Sequence, residues 1–347
     1  MRRDLIEQTV RQLSDLRSYL AATEAMGQLR GIDPATVDNA GTAAAIKRIR
    51  DAMLSPAKEA EFLYSSVVVA LYGVLESYVE QLAEQFVTDL STHVARYASL
   101  PERLRVNHRR LSGIVADSIE SSTRVQTYSV ADIISNLNSC LSGASPYQVN
   151  AMAFRHHTAN VRAPVIEKVF TDAGALNVRE QLTHDMRFRG PAERMDPESV
   201  DIFFRINDLA DRRNDVAHGD TPDLLSPSLL LEYIEIVEHF CTALFEAVLA
   251  SFIAKAEAFE HLAIGSPYRM LGSRYIVCFE LPAHAEIQVN DSLVAYRNSE
   301  VYRSGPIESI EVNRVSHSHL RTTAPARVGI KTNYKCQQTW TYSVLPG

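Results

Sequence analysis

The chain contains 347 residues, of which 46% are hydrophobic and 22% are charged, and its formal net charge is −7. This composition is typical of a globular protein with a sizeable core. The acidic balance excludes a protein that coats nucleic acid through bulk positive charge, although a local basic cleft is compatible with it. The length favours two domains, because a domain usually spans about 150 residues.

The sequence predicts a soluble protein of the cytoplasm, without a membrane segment. The apolar run Val67–Leu75 is too short to span a bilayer, and the longer run Leu229–Ala254 contains four glutamates. The residues after Met1 lead into an amphipathic helix rather than the apolar core of a signal peptide. The four cysteines are far apart and match no disulfide or zinc spacing, which is typical of a reducing compartment.

The first three quarters of the chain show helical periodicity, with apolar residues recurring every three or four positions. Two of the longest helices should begin where a serine is followed by a proline, a pair that favours a helix start. Helices are predicted at about 4–26, 43–53, 55–97, 129–141, 146–154, 163–172, 178–187, 197–218 and 226–260.

The last quarter of the chain has short β-rich runs separated by turn residues. Strands are predicted at 274–281, 285–289, 309–315, 328–332 and 339–344. Residues 1–263 carry a net charge of −10 and residues 264–347 carry +3, with Gly265-Ser266-Pro267 as a hinge. The predicted fold class is therefore mainly α, a helical domain over 1–263 followed by a small all-β domain over 264–347.

The helix predicted over 197–218 carries an unusual arginine. At about 100° per residue, Arg213 falls in the middle of the apolar stripe that should face the core. A guanidinium buried there needs an anion or stacked polar partners, because an unpaired buried charge costs several kcal/mol. A polar stripe containing Asp211, Asn214 and His218 runs beside it, and Gly219 should end the helix.

Two interpretations of this helix remain open. In one, Arg213 pairs with a buried carboxylate such as Glu76, and His218 is a cation that caps the helix. In the other, Arg213 holds a phosphodiester, and His218 moves a proton to or from a ribose oxygen.

Three segments resemble one known family. The stretch from Arg213 to Gly219 resembles the Arg-x4-6-His signature of the HEPN superfamily, in which a polar residue, often Asn, follows the arginine. Leu71–Val79 is similar to a helix of larger bacterial HEPN proteins that carries a glutamate after an aromatic residue. Phe154–Pro164 is similar to an insertion between those helices. The resemblance covers about residues 55–260 and indicates the RiboL-PSP-HEPN or MAE-like subgroup, which is linked to bacterial anti-phage and toxin–antitoxin defence.

The resemblance implies an up-and-down helical bundle and a metal-independent endoribonuclease whose composite site lies at a homodimer interface. Arg213 and His218 would come from both protomers, with Arg213 stabilising the transition state and His218 acting as general acid or base. Asn214 would orient the imidazole or the phosphate, and Glu76 and Asp211 would support the site. RNA is the expected substrate, an antitoxin or defence protein is a possible partner, and no cofactor or metal is expected.

Arg155, His156, His157 and Arg162 form a basic cluster that could bind RNA, with Phe154 available for stacking. Exposed charge without a role is an equally good interpretation of this cluster. His317 and His319 have no cysteine or carboxylate pair at ligand spacing, so the sequence predicts no metal site there.

Three functional hypotheses therefore stand. The first is a HEPN-type endoribonuclease. The second is a non-catalytic HEPN-type scaffold that binds a nucleotide or a partner in the same pocket. The third is a structural helical protein in which Arg213 and His218 pair only internally.

Overall fold

The computed structural model describes residues 1, 3–118, 128–157, 159–219, 223–255, 262–271, 274–297 and 300–345. A helical body is followed by an antiparallel β region, which confirms the predicted fold class. The helices are α1 (Asp4–Gln28), α2 (Ala40–Ala52), α3 (Pro56–His93), α4 (Glu102–Ser118), α5 (Val130–Leu141), α6 (Ala163–Asp172), α7 (Val178–His184), α8 (Met186–Met195), α9 (Phe204–His218) and α10 (Pro227–Ile253).

The core of the helical body lies around α3 and α10, which pack against each other and against α1 and α9. Both central helices have proline in the first turn, as the sequence predicts, and the Ser226 hydroxyl accepts a hydrogen bond from the Leu229 amide at 3.3 Å. From Ala243 to Ile253 every residue of α10 is buried, because helices pack on one side of it and the β region on the other.

Helices α3 and α10 are also long and apolar enough to cross a membrane by length and composition. Half of the most apolar window of α3 and 83% of that of α10 are buried inside the protein. This burial is consistent with core helices of a soluble protein.

Helix α4 is absent from the sequence-based prediction. Two of its buried positions are polar, His108 and Ser112, and they interrupt the apolar periodicity. His108 Nε2 accepts the Asn150 amide at 3.0 Å, and its Nδ1 lies 3.0 Å from the Tyr97 hydroxyl. Burial lowers the pKa of His108 to about 4, so this neutral ring serves as a structural link.

The predicted helix at 146–154 is wrong. Only a 3₁₀ turn forms there, Ala151–Arg155, and the preceding Asn150 is buried. The Asn150 side-chain amide donates to the Ser112 hydroxyl and to the Ile133 carbonyl, each at 3.0 Å. These long-range hydrogen bonds hold the backbone out of a helix, and a local pattern does not contain them.

Other helix boundaries differ because side chains cap the backbone. The predicted helix at 178–187 divides at Asp185, whose carboxylate accepts the Arg187 amide at 2.8 Å and starts α8. Helix α9 begins at Phe204 rather than 197, because the Asp201 carboxylate accepts the Phe203 amide at 3.0 Å in a preceding turn. Helix α10 ends at Ile253 and residues 254–255 form a turn, so the predicted helix is too long there, and the remaining predicted residues, 256–260, lie outside the described residues.

The β region contains ten strands in the described residues, twice the number predicted. They are β1 (Leu262–Gly265), β2 (Arg269–Leu271), β3 (Ile276–Leu281), β4 (Glu286–Gln288), β5 (Ser292–Arg297), β6 (Glu300–Val312), β7 (Val315–His317), β8 (His319–Arg321), β9 (Ala326–Thr332) and β10 (Thr341–Leu345). The main sheet has the order β1-β10-β5-β6-β9-β3-β2, with β7 paired to β6, and β4 pairs with β8. Gly265-Ser266-Pro267, predicted as a hinge, connects β1 to β2.

The β region is joined to the helical body by packing and by polar contacts. Helix α10 packs on β6, and Val294 of β5 belongs to the helical core. Arg3 pairs with the buried Glu246 of α10 at 2.9 Å and donates to the Ser292 hydroxyl at 3.0 Å. The Asn333 amide donates to Asp185 at 2.9 Å. The sheet is therefore held against α10 and α8.

Candidate functional site

The candidate site lies along the second half of α9. The helix ends at His218, and Gly219 follows with φ +76°, a backbone conformation that glycine adopts without strain. The sequence predicts this end correctly. The last fully buried residue of α9 is Ala210, after which the helix runs along the edge of the bundle.

Arg213 is half-buried at this edge rather than in the middle of the core stripe, so that prediction is wrong. Ser199 and Ile202 precede the helix and Ala217 is exposed, which leaves only Ile206 and Leu209 as buried members of the stripe. The predicted stripe assumed a helix that starts at 197. The loop turn at 199–203 replaces the first two helical turns of that prediction.

Arg213 rests on an aromatic ring. Its guanidinium carbon lies 5.2 Å from the centroid of the buried Tyr72 ring of α3, and one guanidinium nitrogen is 3.4 Å from the Asn214 side-chain oxygen. Within the described residues, no carboxylate oxygen lies within 4.0 Å of the Arg213 guanidinium, Glu76 included. The ring accommodates the cation without neutralising it.

The preceding residue, Arg212, has the opposite environment. Its Nε donates to Asp208 at 2.6 Å, and one guanidinium nitrogen lies 3.4 Å from the Tyr64 hydroxyl and 3.2 Å from the Asp223 carbonyl. Asp208 also accepts the Tyr233 hydroxyl. Burial alone would lower the pKa of Arg212, but its contacts with Tyr64, Asp208 and Tyr233 outweigh burial and raise the pKa overall. The group holds α9 against α3 and α10.

Glu76 reaches Arg213 only through Tyr72. The Tyr72 hydroxyl donates to the Glu76 carboxylate at 3.2 Å and accepts the Val161 amide at 2.8 Å. Burial raises the pKa of Tyr72, and the negative charge of Glu76 adds to this rise. Glu76 is thus part of a polar layer directly behind the arginine, between α3 and the insertion.

The predicted RNA-binding residues lie on that insertion, and three of the four contact carboxylates. Arg155 pairs with Glu84, and Arg162 pairs with Asp211. His156 and His157 line a cavity of about 170 Å³ together with Arg110 and Lys168.

His157 is held by α3. Its Nε2 lies 3.1 Å from Glu80, and this hydrogen bond raises its pKa, with a smaller contribution from Glu76.

The polar stripe of α9 holds the same insertion. The Asn160 side chain donates to Asn214 Oδ1 at 3.1 Å, and the Ala163 amide donates to Asn207 Oδ1 at 3.0 Å. Asn214 therefore contacts both Arg213 and the insertion, and Asp211 contacts the insertion through Arg162. The structure brings Arg213, Asn214 and Tyr72 together, with Glu76 one contact away.

His218 is exposed in the last turn of α9. It lies five residues after Arg213, which corresponds to about 140° around the helix. The two side chains therefore project in different directions from one protomer. Among the described residues, no group of three or more His, Cys, Asp or Glu side chains forms a candidate metal site.

Sequence reasoning predicted Glu76 but missed Tyr72, Glu80 and Glu84. These four residues recur at every fourth position on one face of α3. Tyr72, Glu80 and Glu84 contact the insertion, and Glu76 contacts Tyr72. The i, i+4 spacing of the carboxylates was visible in the sequence. Asn160 carried no comparable signal, because its contact joins two distant segments.

Comparison with known proteins identifies the family. Residues 43–250, more than half of the chain, match the family model RiboL-PSP-HEPN, which confirms the resemblance seen in the sequence. No curated protein and no solved structure matches the chain. Membership suggests an RNA-related or nucleotide-binding role. The chain is thus a member of the RiboL-PSP-HEPN family within the HEPN superfamily.

Proposed function

We propose that this protein is a metal-independent endoribonuclease that uses Arg213, Asn214 and His218. The observation that carries the proposal is the state of Arg213. Its positive charge lies on the Tyr72 ring at the edge of the bundle, without a carboxylate in ion-pair distance among the described residues. A guanidinium in this state remains able to bind a phosphate through two parallel hydrogen bonds.

The reaction is an intramolecular transfer at phosphorus. The ribose 2′-hydroxyl loses its proton to a general base while its oxygen bonds to the adjacent phosphorus. The bond from phosphorus to the 5′-oxygen breaks, and that oxygen takes a proton from a general acid. His218 serves as base or acid, and Arg213 stabilises the charge that grows on the phosphate oxygens. The products are a 2′,3′-cyclic phosphate and a 5′-hydroxyl.

The divergence of Arg213 and His218 around α9 supports a site composed of two protomers. A two-fold axis near the ends of two α9 helices would place the arginine of one protomer opposite the histidine of its partner. The exposed His218 and the half-buried Arg213 would then face one phosphate from two sides. Asn214 would orient that phosphate or the imidazole.

The activity is tested by incubating the protein with mixed RNA in EDTA. We expect cleavage with 2′,3′-cyclic phosphate ends from the wild type, and none from His218→Ala. His319→Ala, which changes an exposed histidine of β8, is the matched control and should cleave normally. Binding of RNA without cleavage by the wild type would support the non-catalytic scaffold instead. If neither occurs, only the structural interpretation of Arg213 and His218 remains.

The composite site is tested by mixing inactive variants. Arg213→Ala and His218→Ala protomers, unfolded together and refolded, should form mixed dimers with one intact Arg–His pair. Random pairing then restores about a quarter of the wild-type rate. Activity that stays absent in verified mixed dimers would place both residues in one protomer and contradict the shared site.

We also propose that the cleavage serves bacterial anti-phage or toxin–antitoxin defence in the cytoplasm, restrained by an antitoxin or sensor protein. The family match supports this role. Expression of the wild type in bacteria should arrest growth, and expression of His218→Ala should not. Normal growth with the active enzyme at high level would contradict a growth-arresting role.

A further inference from the structure

A groove that contains three arginines lies beyond the C-terminal end of α3. It has a volume of about 700 Å³ and runs between the start of α4 and the end of α5. Its charged lining consists of Arg96, Arg105, Arg109 and Glu102. Three arginines against one glutamate give this arginine groove a net charge of +2, in a protein whose net charge is −7.

None of the three arginines is neutralised by a carboxylate of the described residues. Arg96 and Arg109 are exposed, and in this part of the chain neither has a hydrogen-bond or ion-pair partner. Arg105 is half-buried, and its Nε donates to the Leu100 carbonyl at 3.1 Å. This bond to a neutral group holds the side chain but leaves its charge and its two terminal nitrogens available to a phosphate. Glu102 is exposed, and no cation of the described residues lies within 4.0 Å of its carboxylate.

Buried hydrogen bonds support the floor of the arginine groove. The Tyr97 hydroxyl donates to the Arg105 carbonyl at 3.2 Å and lies 3.0 Å from Nδ1 of His108, whose other ring nitrogen accepts the Asn150 amide. Burial raises the pKa of Tyr97 to about 12, although the nearby positive charges of Arg109 and Arg105 oppose this rise. The arginines therefore surround a fixed ring, and a fixed support lowers the entropy lost when a ligand binds.

A second groove, of about 540 Å³, connects the arginine groove to the face of α3 on which Arg213 lies. The two grooves share Ala95 and Ser145 in their linings. Along α3 the connecting groove is lined by residues between positions 84 and 92, which continue the face that begins at Tyr72. At 1.5 Å per residue, the distance along α3 from Tyr72 to position 92 is about 30 Å. A ligand that contacts both Arg213 and the arginine groove must therefore be an extended polymer.

The connecting groove offers neutral polar and aromatic groups. Its lining includes the exposed side chains of Thr88 and Gln148 and the half-buried ring of Tyr128. Hydroxyl and amide groups bind phosphate and sugar oxygens, and an aromatic ring stacks on a base. Glu84, which also lines this groove, is paired with Arg155, so its charge is compensated. This lining suits the sugars and bases of RNA better than the carboxylates of an acidic peptide.

We propose that the arginine groove holds the phosphate backbone of a single-stranded RNA whose cleaved phosphate lies at Arg213. The proposal rests on the proposed function, because it takes RNA as the substrate. Arg96, Arg105 and Arg109 contact phosphates remote from the cleaved bond and add affinity only for a long substrate. Successive phosphates of a stacked strand are about 3.4 Å apart along its axis, so about 30 Å corresponds to about nine nucleotides.

The test measures RNA binding in an inactive background, so that the result does not depend on cleavage. Full-length His218→Ala protein is titrated with labelled oligouridylates of about 20 and about four nucleotides, and fluorescence anisotropy measures both affinities. The test variant adds Arg96→Ala and Arg109→Ala. The matched control adds Arg11→Ala and Arg48→Ala, which change two exposed arginines of α1 and α2 outside both grooves. Urea denaturation verifies that the two variants are equally stable.

We expect the test variant to bind the long RNA about tenfold more weakly or worse, while the control stays within about twofold. The short RNA should bind both variants equally, because it cannot reach the arginine groove from Arg213. The slope of log affinity against log salt concentration should become shallower by about 1.4 in the test variant, because each of two lost phosphate contacts accounts for about 0.7. In the active protein, the same two substitutions should raise KM for long RNA without lowering kcat.

Equal binding of the long RNA by the test variant and the control would overturn the proposal, as would the absence of RNA binding. Polyglutamate is the competing probe. If it binds in a manner that requires Arg96 and Arg109 and the RNA does not, the groove is a site for an acidic protein segment and the proposal is overturned. RNA binding that requires these arginines, without cleavage by the wild type, would contradict the proposed function and leave the RNA groove in place.

Discussion

Two adjacent arginines on α9 occupy contrasting environments. Arg212 donates to Asp208 and lies near the Tyr64 hydroxyl and a backbone carbonyl, so its charge is neutralised by a partner within the protein. Arg213 faces the Tyr72 ring and the Asn214 side chain, without an ion-pair partner among the described residues. The difference arises because successive residues of a helix point about 100° apart.

This comparison separates a cation that stabilises the protein from one that remains available to a ligand. A salt bridge that satisfies a guanidinium also occupies the donors that a phosphate would need. An aromatic face holds the cation in place and leaves those donors open. Arg213 should therefore matter for activity, and Arg212 for folding.

The largest expected effect is on cleavage by Arg213→Ala. Loss of a charge that stabilises the transition state should reduce the cleavage rate about 100- to 1,000-fold. The free energy of unfolding should fall by only about 0.5–1 kcal/mol, because little more than a cation–π contact is lost. Single-turnover cleavage and urea denaturation measure the two quantities, with Arg314→Ala as an exposed control. Full activity in Arg213→Ala would contradict the proposal that Arg213, unlike Arg212, binds the substrate phosphate.

The second-largest effect is expected at Arg212, where substitution should reduce stability rather than cleavage. Arg212→Ala should lower the free energy of unfolding by about 2 kcal/mol, because Asp208 loses a charged partner in a partly buried network. Cleavage per folded molecule should change little. Chemical denaturation followed by circular dichroism tests this, with Arg212→Lys as the milder comparison. If Arg212→Ala is stable but inactive, the catalytic arginine is Arg212 and our assignment of that role to Arg213 is wrong.

A smaller effect on stability is expected at Tyr72, whose ring lies against Arg213. Tyr72→Phe keeps the ring beneath the guanidinium but removes the hydroxyl that accepts the Val161 amide and donates to Glu76. The unpaired amide should cost about 1–2 kcal/mol of unfolding free energy. Tyr19→Phe, at an exposed tyrosine of α1, is the control for the substitution itself. Unchanged stability would show that this hydroxyl does not anchor the insertion.

The smallest effect concerns pH. The Glu80 carboxylate raises the pKa of His157 above its usual 6.5, so the folded state holds this proton more tightly than the unfolded state. The stabilisation is fully present below about pH 6.5 and is lost as pH rises through the raised pKa. Its size should be about 0.2–1 kcal/mol, as for partly exposed pairs.

Glu80→Gln should remove that part of the pH dependence, as followed by urea denaturation across this pH range. Glu84→Gln, which loses an ion pair with the permanently charged Arg155, should leave it unchanged. If Glu80→Gln and the wild type show the same slope, His157 does not carry this dependence.

Local patterns predicted much of the helical body. The proline-led starts of α3 and α10 and the glycine after His218 follow from backbone chemistry within a few residues, and all are confirmed. The missed helix α4 and the false helix at 146–154 fail for one shared reason. His108 and Ser112 of α4 both form hydrogen bonds with the distant Asn150, so the local polarity of these residues is misleading.

The β region was harder to predict for a related reason. Residues 292–295 of β5 are all buried, so the strand lacks the alternation that marks a half-exposed strand. Strands β1 and β2 are short, and β1 pairs with β10, which lies far along the chain. The predicted boundary between 1–263 and 264–347 remains a prediction.

The sequence by itself determined the fold class, the family and the Arg213–His218 motif, because periodicity, capping and motif spacing are local properties of the chain. Tertiary structure decided which distant groups each arginine meets. Arg213 lies on the Tyr72 ring of α3, whereas Arg212, already paired with Asp208 four residues earlier on α9, also meets the Tyr64 hydroxyl and the Asp223 carbonyl. Whether a charge is paired is a property of the space around it, and distant segments fill that space.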